Sequence, residues 1–320
     1  MEFVGTPVWA WGVFFFIVIG LLILDLGVLN KRDHEIGVGE SLWLSAFYIA
    51  ASCLFGLGVG LFLGREPALE FFTGYAIEKS LSLDNMFVIS LIFTTFAVPR
   101  LYQHRVLFWG IVGVILMRGV MIGIGAVLIA KFHWVLYIFG AFLIITGIRM
   151  LKPSAHEHEH EHESAIKCHP MVKFLQGHIR MTDEFHGHQF LVHKMHPSKG
   201  RLVYYATPLL LALVVVEAAD IIFAVDSIPA VFAVTQDPFI VYTSNIFAVL
   251  GLRALYFALA AVIYRFTYLK YALAAVLIFI GGKIFYGELV EKVPALVSLS
   301  VTFGLLAIGV LVSLIKTRRH

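Results

Sequence analysis

An apolar run from about residue 204 to 235 is long enough to cross a bilayer, yet it holds Glu217, Asp220, Asp226 and a proline, Pro229. In hydrocarbon each charge costs at least about 2.5 to 3.5 kcal/mol on insertion scales, so three carboxylates at that depth need cations or a polar cavity. Pro229 donates no hydrogen bond, and its ring crowds the carbonyl of Val225, directly before Asp226. Non-helical backbone survives at membrane depth only where it lines an enclosed space. The stretch therefore reads as a helix break at Pro229 beside an oxygen-lined ion site.

The rest of the chain suits a membrane. Of 320 residues, 60% are hydrophobic and 14% charged, against about 45–50% and about 25% in soluble domains. Apolar runs of bilayer-crossing length occur nine times, at about 8–29, 41–63, 68–97, 103–130, 135–151, 204–235, 239–264, 269–286 and 294–315. This predicts an all-α polytopic protein with one membrane domain: spans 1 to 5 in residues 1–151, a connection at 152–203, and spans 6 to 9 in 204–320. The N-terminus has no Lys or Arg before the first run and no small-residue cleavage site after it, so it reads as a retained span and not a signal peptide.

Basic residues orient the parse. One side holds Arg65, Lys131, Lys283 and Lys292, four in all, and the other holds seventeen Lys and Arg. The N-terminus is therefore expected outside and the C-terminus in the cytoplasm. Trp9, Trp11, Trp43 and Trp134 fall near predicted span ends, as interface anchors do. Asp25 reads as interfacial.

The long connection at 152–203 holds ten of the fourteen histidines, including an alternating His-Glu tract from His156 to Glu163. Such a tract can loosely hold transition metals, but its composition reads first as a solvated tether. Met171, Val172, Leu175 and Ile179 share a helical face, with Lys173 and Arg180 offset, which suggests a short helix on the inner leaflet. Cys53 and Cys168 lie far apart and indicate no disulfide framework or thiolate site. Gly56, Gly60 and Gly64, and Gly119 and Gly123, recur every four residues and read as close helix packing.

A repeat runs through the middle of the chain. Glu78-Lys-Ser-Leu-Ser-Leu-Asp84-Asn85 lies over Asp220-Ile-Ile-Phe-Ala-Val-Asp226-Ser227: an acid, a second acid six residues on, then a small polar residue. The span after each motif carries an arginine, Arg118 or Arg253, and the next ends in an aliphatic run with glycine and a base, at Gly147 and Arg149 or Gly281 and Lys283. Spans 3 to 5 thus read as a copy of spans 6 to 8. Three crossings per copy make the repeat inverted, the plan of many secondary transporters with a midplane site. At about 100° per residue, Asp84 and Asp226 point about 120° away from Glu78 and Asp220, so one ion reaches both acids only if the helix unwinds or two helices cup it.

The acids Glu78, Asp84, Glu217, Asp220 and Asp226 are the candidate metal ligands. Asn85, Ser227 and Asn245 are candidate supporting ligands, and Lys79, Arg118 and Arg253 balance charge. Oxygen donors without Cys or His select hard divalent cations such as Mn, Mg or Ca. A carboxylate freed by ion release would take up a proton readily at that depth, which suggests proton coupling. The alternative reading pairs the acids with the three bases to hold helices together. No GxxxxGKS, GxSxG or HExxH motif occurs, so the sequence suggests no enzyme and no cofactor beyond a transported ion. Nucleic acid is not an expected partner, and the oligomeric state stays open.

The paired acid motifs, with Gly177-His-Ile-Arg-Met-Thr-Asp183, Thr243-Ser-Asn245 and Gly251-Leu-Arg253, resemble the TerC family of bacterial membrane proteins, in its Alx-like branch. The resemblance implies a multi-pass protein of the cytoplasmic membrane that exports manganese, in a family named for tellurium resistance, with the acids at 78, 84, 217, 220 and 226 as the functional ones. The His-Glu tract departs from the family pattern and leaves room for a metal-sensing role. A second reading is a membrane scaffold in tellurite or envelope-stress resistance that recruits a soluble partner through the loop at 152–203.

Overall fold

A computed structural model describes residues 2–3, 6–24, 37–132, 134–151, 180–182, 184–195, 202–259, 269–289 and 293–317. The apolar runs fold as helices, as chains must where no water can satisfy the backbone. They are α1 (Val8–Leu24), α2 (Val38–Phe62), α3 (Arg65–Thr95), α4 (Arg100–Lys131), α5 (Val135–Leu151), α6 (Pro208–Phe232), α7 (Pro238–Leu250), α8 (Leu252–Leu259), α9 (Leu269–Leu289) and α10 (Ala295–Thr317). Among the described residues, α2, α4, α6, the α7–α8 stretch and α10 are long and apolar enough to cross a membrane, while α1, α5 and α9 are apolar but shorter. α3 is 31 residues long but carries Glu70, Glu78, Lys79 and Asp84.

Two short antiparallel pairs accompany the helices: β1 (Glu2–Phe3) with β2 (Thr6–Pro7), and β3 (Leu191–Met195) with β4 (Leu202–Ala206). The second corrects the expected start of the sixth span, because residues 204–206 pair with β3 before the helix begins. Pro208 takes the first helical position, where its missing N–H costs nothing.

The helix does not break at Pro229 as expected. α6 continues to Phe232, since a proline so close to a helix end disturbs only the final turn. The interruption lies instead in the seventh span, at Gly251 between α7 and α8. A Cβ there would meet the Lys79 ammonium, the end of a flexible side chain, at 2.8 Å and Tyr48 Cβ at 3.2 Å, so the glycine lets α2 and Lys79 lie close against it.

α7 is the axis of the molecule, with every residue from Phe239 to Leu250 buried. α3 packs on α7, α6, α2 and α10; α4 packs on α6 and α7; α5 packs on α9. Large apolar side chains such as Phe16, Leu61 and Leu116 stay exposed on outer faces, as lipid-facing residues would. Trp9, Trp43 and Trp134 are exposed near helix ends, whereas Trp11 turns inward onto Phe239.

The glycines divide by role. Gly56 lies tightly against Phe71 and Phe72, and Gly60 faces Ala68. Gly64 instead adopts φ 108° in the α2–α3 turn, and Gly123 has nothing within 4 Å, so neither is a packing glycine. Among the described residues, α5 and α9 approach each other backbone to backbone. A Cβ on Gly147 would meet Ala274 O at 2.8 Å and Ile278 Cγ1 at 2.7 Å; a Cβ on Gly281 would meet Gly140 O at 2.7 Å and Ile144 Cγ1 at 2.8 Å. Asp25, the His156–Glu163 tract, Cys168 and the surface helix expected from residue 171 onward lie outside the described residues, apart from Arg180.

Candidate functional site

The centre of the site is Arg118, projected from the middle of α4 into a fully buried position. Its guanidinium reaches side chains of three other helices. Nε and Nη2 donate to Asp220 Oδ2 and Oδ1 of α6 at 3.2 and 3.0 Å, the two-pronged pairing that suits a planar guanidinium. Nη1 donates to Glu78 Oε1 of α3 and to Asn245 Oδ1 of α7. Asn245 closes the ring by donating from Nδ2 to Glu78 Oε2 at 2.9 Å. Glu78 and Asn245 are wholly buried, and the Asp220 side chain is 12% exposed. Charges taken this far from water persist only when each is paired and its remaining hydrogen-bond capacity is used. Two carboxylates facing one guanidinium leave the cluster one negative charge in excess.

Glu217 lies one turn before Asp220 on α6. Its carboxylate rests against Gly113 of α4, where a Cβ would fall 2.0 Å from Oε1. Oε2 of Glu217 is buried without a hydrogen-bond partner among the described residues, as is the hydroxyl of Ser227. A small cavity of about 40 Å³ opens beside Asp220, walled by Asn85, Gly110, Val114 and Tyr256 among others. That is room for a water molecule or a bare ion, since a single water needs about 10–15 Å³ measured this way.

The expected residues therefore fall into groups. Glu78, Asp220, Arg118 and Asn245 come together, Glu217 sits beside them, and Asn85 lines the adjacent cavity. Asp226 is half-buried, and on an intact helix it faces about 120° away from Asp220. Lys79 donates to Ala248 O at 3.0 Å, near the C-terminal end of α7 where carbonyls lack helical partners. Asp84 and Arg253 belong to α3 and α8 by backbone, and their side chains lie outside the described residues. Among the described residues, no three His, Cys, Asp or Glu side chains form a group able to hold a metal ion. The guanidinium of Arg118 stands between the two carboxylates closest to doing so.

Sequence reasoning passed over Gly113 and gave Gly251 no structural role. Gly251 had a visible signal as part of the Gly-Leu-Arg motif. Gly113 shows only as a glycine three residues after Gly110, a spacing common in apolar helices.

The TerC family model, described as an integral membrane protein family, matches residues 63–320. An uncharacterized membrane protein of Myxococcus xanthus is 47% identical over 98% of this chain and 94% of its own length. A protein of Escherichia coli K12 named putative membrane-bound redox modulator Alx is 46% identical over 100% of this chain and 98% of its own. An uncharacterized membrane protein of Rickettsia bellii is 45% identical over 96% and 97%. No solved structure matches. With its apolar helices and these relatives, the chain is a multi-pass membrane protein, and it belongs to the TerC family of integral membrane proteins.

Proposed function

We propose that the chain is a secondary transporter that exports a divalent metal cation, manganese first among candidates, in exchange for protons across the bacterial cytoplasmic membrane. The observation that carries this reading is the meeting of Glu78 and Asp220 on one buried arginine, with Glu217 beside them. A structural ion pair needs one acid per base. Here acids from the two matched motifs converge in excess of the cation between them, next to a small cavity. All the side-chain donors at hand are oxygens, which favours a hard ion.

The inverted repeat belongs to the same proposal, with nine crossings, the N-terminus outside and the C-terminus in the cytoplasm. Helix packing supports it through reciprocal contacts. Gly147 meets Ala274 O and Ile278 as Gly281 meets Gly140 O and Ile144, and the repeat register places these residues in corresponding positions. Likewise α3 meets α7 at Gly74 and Ser244, while α6 meets α4 at Val216 and Gly110, again corresponding within one residue. Such reciprocity is expected of two copies related by a two-fold axis in the membrane plane.

The test is manganese uptake into inverted membrane vesicles bearing the protein, beside vesicles bearing Asp220→Asn and Asp226→Asn. Uptake by the native protein that collapses in both variants is the expected result. Native vesicles indistinguishable from empty controls for Mn, Mg and Ca, with the protein present and folded, would end the transport reading.

A further inference from the structure

Glu78 and Asp220 are the carboxylates best placed to take an ion, and a side chain of the protein already lies between them. Arg118 uses all three guanidinium nitrogens there, two on Asp220 and one shared by Glu78 and Asn245. A divalent cation bound to the same oxygens would lie within a few ångströms of the guanidinium carbon, and in a poorly screened interior that repulsion is strong. The two cannot share the site. Resting on the transport reading above, we propose that Arg118 is a resident counter-ion: it competes with the transported cation for Glu78 and Asp220, withdraws when the cation binds, and returns on release, leaving one excess negative charge for the counter-transported proton, so that the ion-free carrier can close and reset.

The side of α4 toward which Arg118 leans is not fully packed. Val114 and Gly110 lie one and two turns before Arg118 on the same face of α4, and helical side chains lean toward the helix N-terminus. Both residues wall the cavity beside Asp220, as does Asn85 of α3. Open space thus borders α4 on the N-terminal side of Arg118. Gly110 also keeps that wall low, since even a Cβ there would reach only Val216 and Leu213, at 3.7 and 4.0 Å.

The charges supply selectivity. With the guanidinium withdrawn, Glu78 and Asp220 offer two negative charges, the complement of one divalent ion. A monovalent cation would gain no more from the pair than the guanidinium does, and displacing it would forgo the four directed hydrogen bonds that Arg118 makes there. Arg118 thus sets a threshold that divalent ions pass and monovalent ions do not.

The test uses the full-length protein in proteoliposomes, with manganese as probe, and separates binding, exchange and net flux. Exchange of radioactive manganese against manganese on the far side needs no return of the empty carrier; net flux does. Arg118→Gln is expected to bind manganese about tenfold tighter, because removing an occluding group raises the fraction of binding-competent sites. It should keep exchange and lose net flux. Arg118→Lys keeps the charge but not the fork, and is expected to bind more tightly than native while retaining net flux. The Lys variant also decides the matter if the Gln variant fails to fold. Weaker manganese binding in the folded variants, or exchange lost together with net flux, would overturn the counter-ion role while leaving transport by the native protein intact. Absence of both binding and flux in the native protein would instead remove the transport reading beneath it.

Discussion

Replacing Gly281 with alanine should force α5 and α9 apart. The new methyl would lie 2.7 Å from Gly140 O, 2.8 Å from Ile144 Cγ1 and 3.2 Å from Ile144 N. Two of these are backbone atoms, which no rotamer change can move, so relief requires displacing a helix. Overpacking of this kind typically costs about 1–3 kcal/mol. Alanine returns about 1 kcal/mol of helix propensity, leaving a net loss of up to about 2 kcal/mol. Gly147→Ala should lose nearly the same amount, because its contacts at 2.7 and 2.8 Å mirror those of Gly281. The double variant should lose less than the sum, since one displacement relieves both clashes. Gly282→Ala is the control: nothing lies within 4 Å of its built Cβ, so it should be neutral or slightly stabilising. The assay is reversible unfolding of the purified protein in mixed micelles of increasing SDS fraction. Equal midpoints for Gly281→Ala and Gly282→Ala would refute the close approach, and a loss at Gly281 without one at Gly147 would refute the reciprocity.

Three further outcomes are expected. Gly113→Ala should abolish vesicle manganese uptake while leaving the protein folded, because the clash at 2.0 Å is with a side chain that can rotate away; adding Glu217→Asp, which shortens that side chain, should restore part of the uptake. Asn245→Leu strips one partner each from Glu78 and Arg118 and should destabilise the protein by about 1–3 kcal/mol per orphaned group, measured as an unfolding-midpoint shift. Deleting residues 156–163 should leave vesicle uptake unchanged while lowering the weak binding of Ni or Zn by the purified protein; if a resistance phenotype vanished and uptake stayed normal, the loop would serve a partner and not the ion path.

The helical runs were legible because lipid and sequence impose the same condition: long apolar stretches must satisfy their own backbone, so each predicted span coincides with helix over most of its length. α3 could be placed despite its charges because residues around them stay apolar. The matched acid motifs were also legible, being local patterns. The partner choices were not. That Arg118 takes Glu78 and Asp220 while Lys79 takes a carbonyl of α7 depends on how four helices rotate about their axes, and no spacing within one helix encodes it. Pro229 and Gly251 make the same point about backbone. Proline announces a break strongly, but near a helix end it has little ladder left to break. Gly251 announces one weakly, and it is the tertiary approach of Lys79 and Tyr48 that makes it matter. Strand β4 was missed because Leu202–Ala206 is apolar enough to read as the head of the following span.

The buried arginine also bears on how the chain is made. Glu78 and Arg118 are synthesised close together, and once α3 and α4 have entered the membrane they can neutralise one another. Asp220 follows 102 residues after Arg118, beyond the long connection, in a helix that also brings Glu217 and Asp226. N-terminal segments fold first during synthesis, so the first half can wait in the bilayer as a compensated pair. In the second half, Asp220 meets Arg118 only when α6 packs against the waiting α4. The early helices thereby act as a template for the late ones, and a separately expressed fragment of residues 204–320 would be cleared by proteases unless residues 1–151 are supplied alongside it.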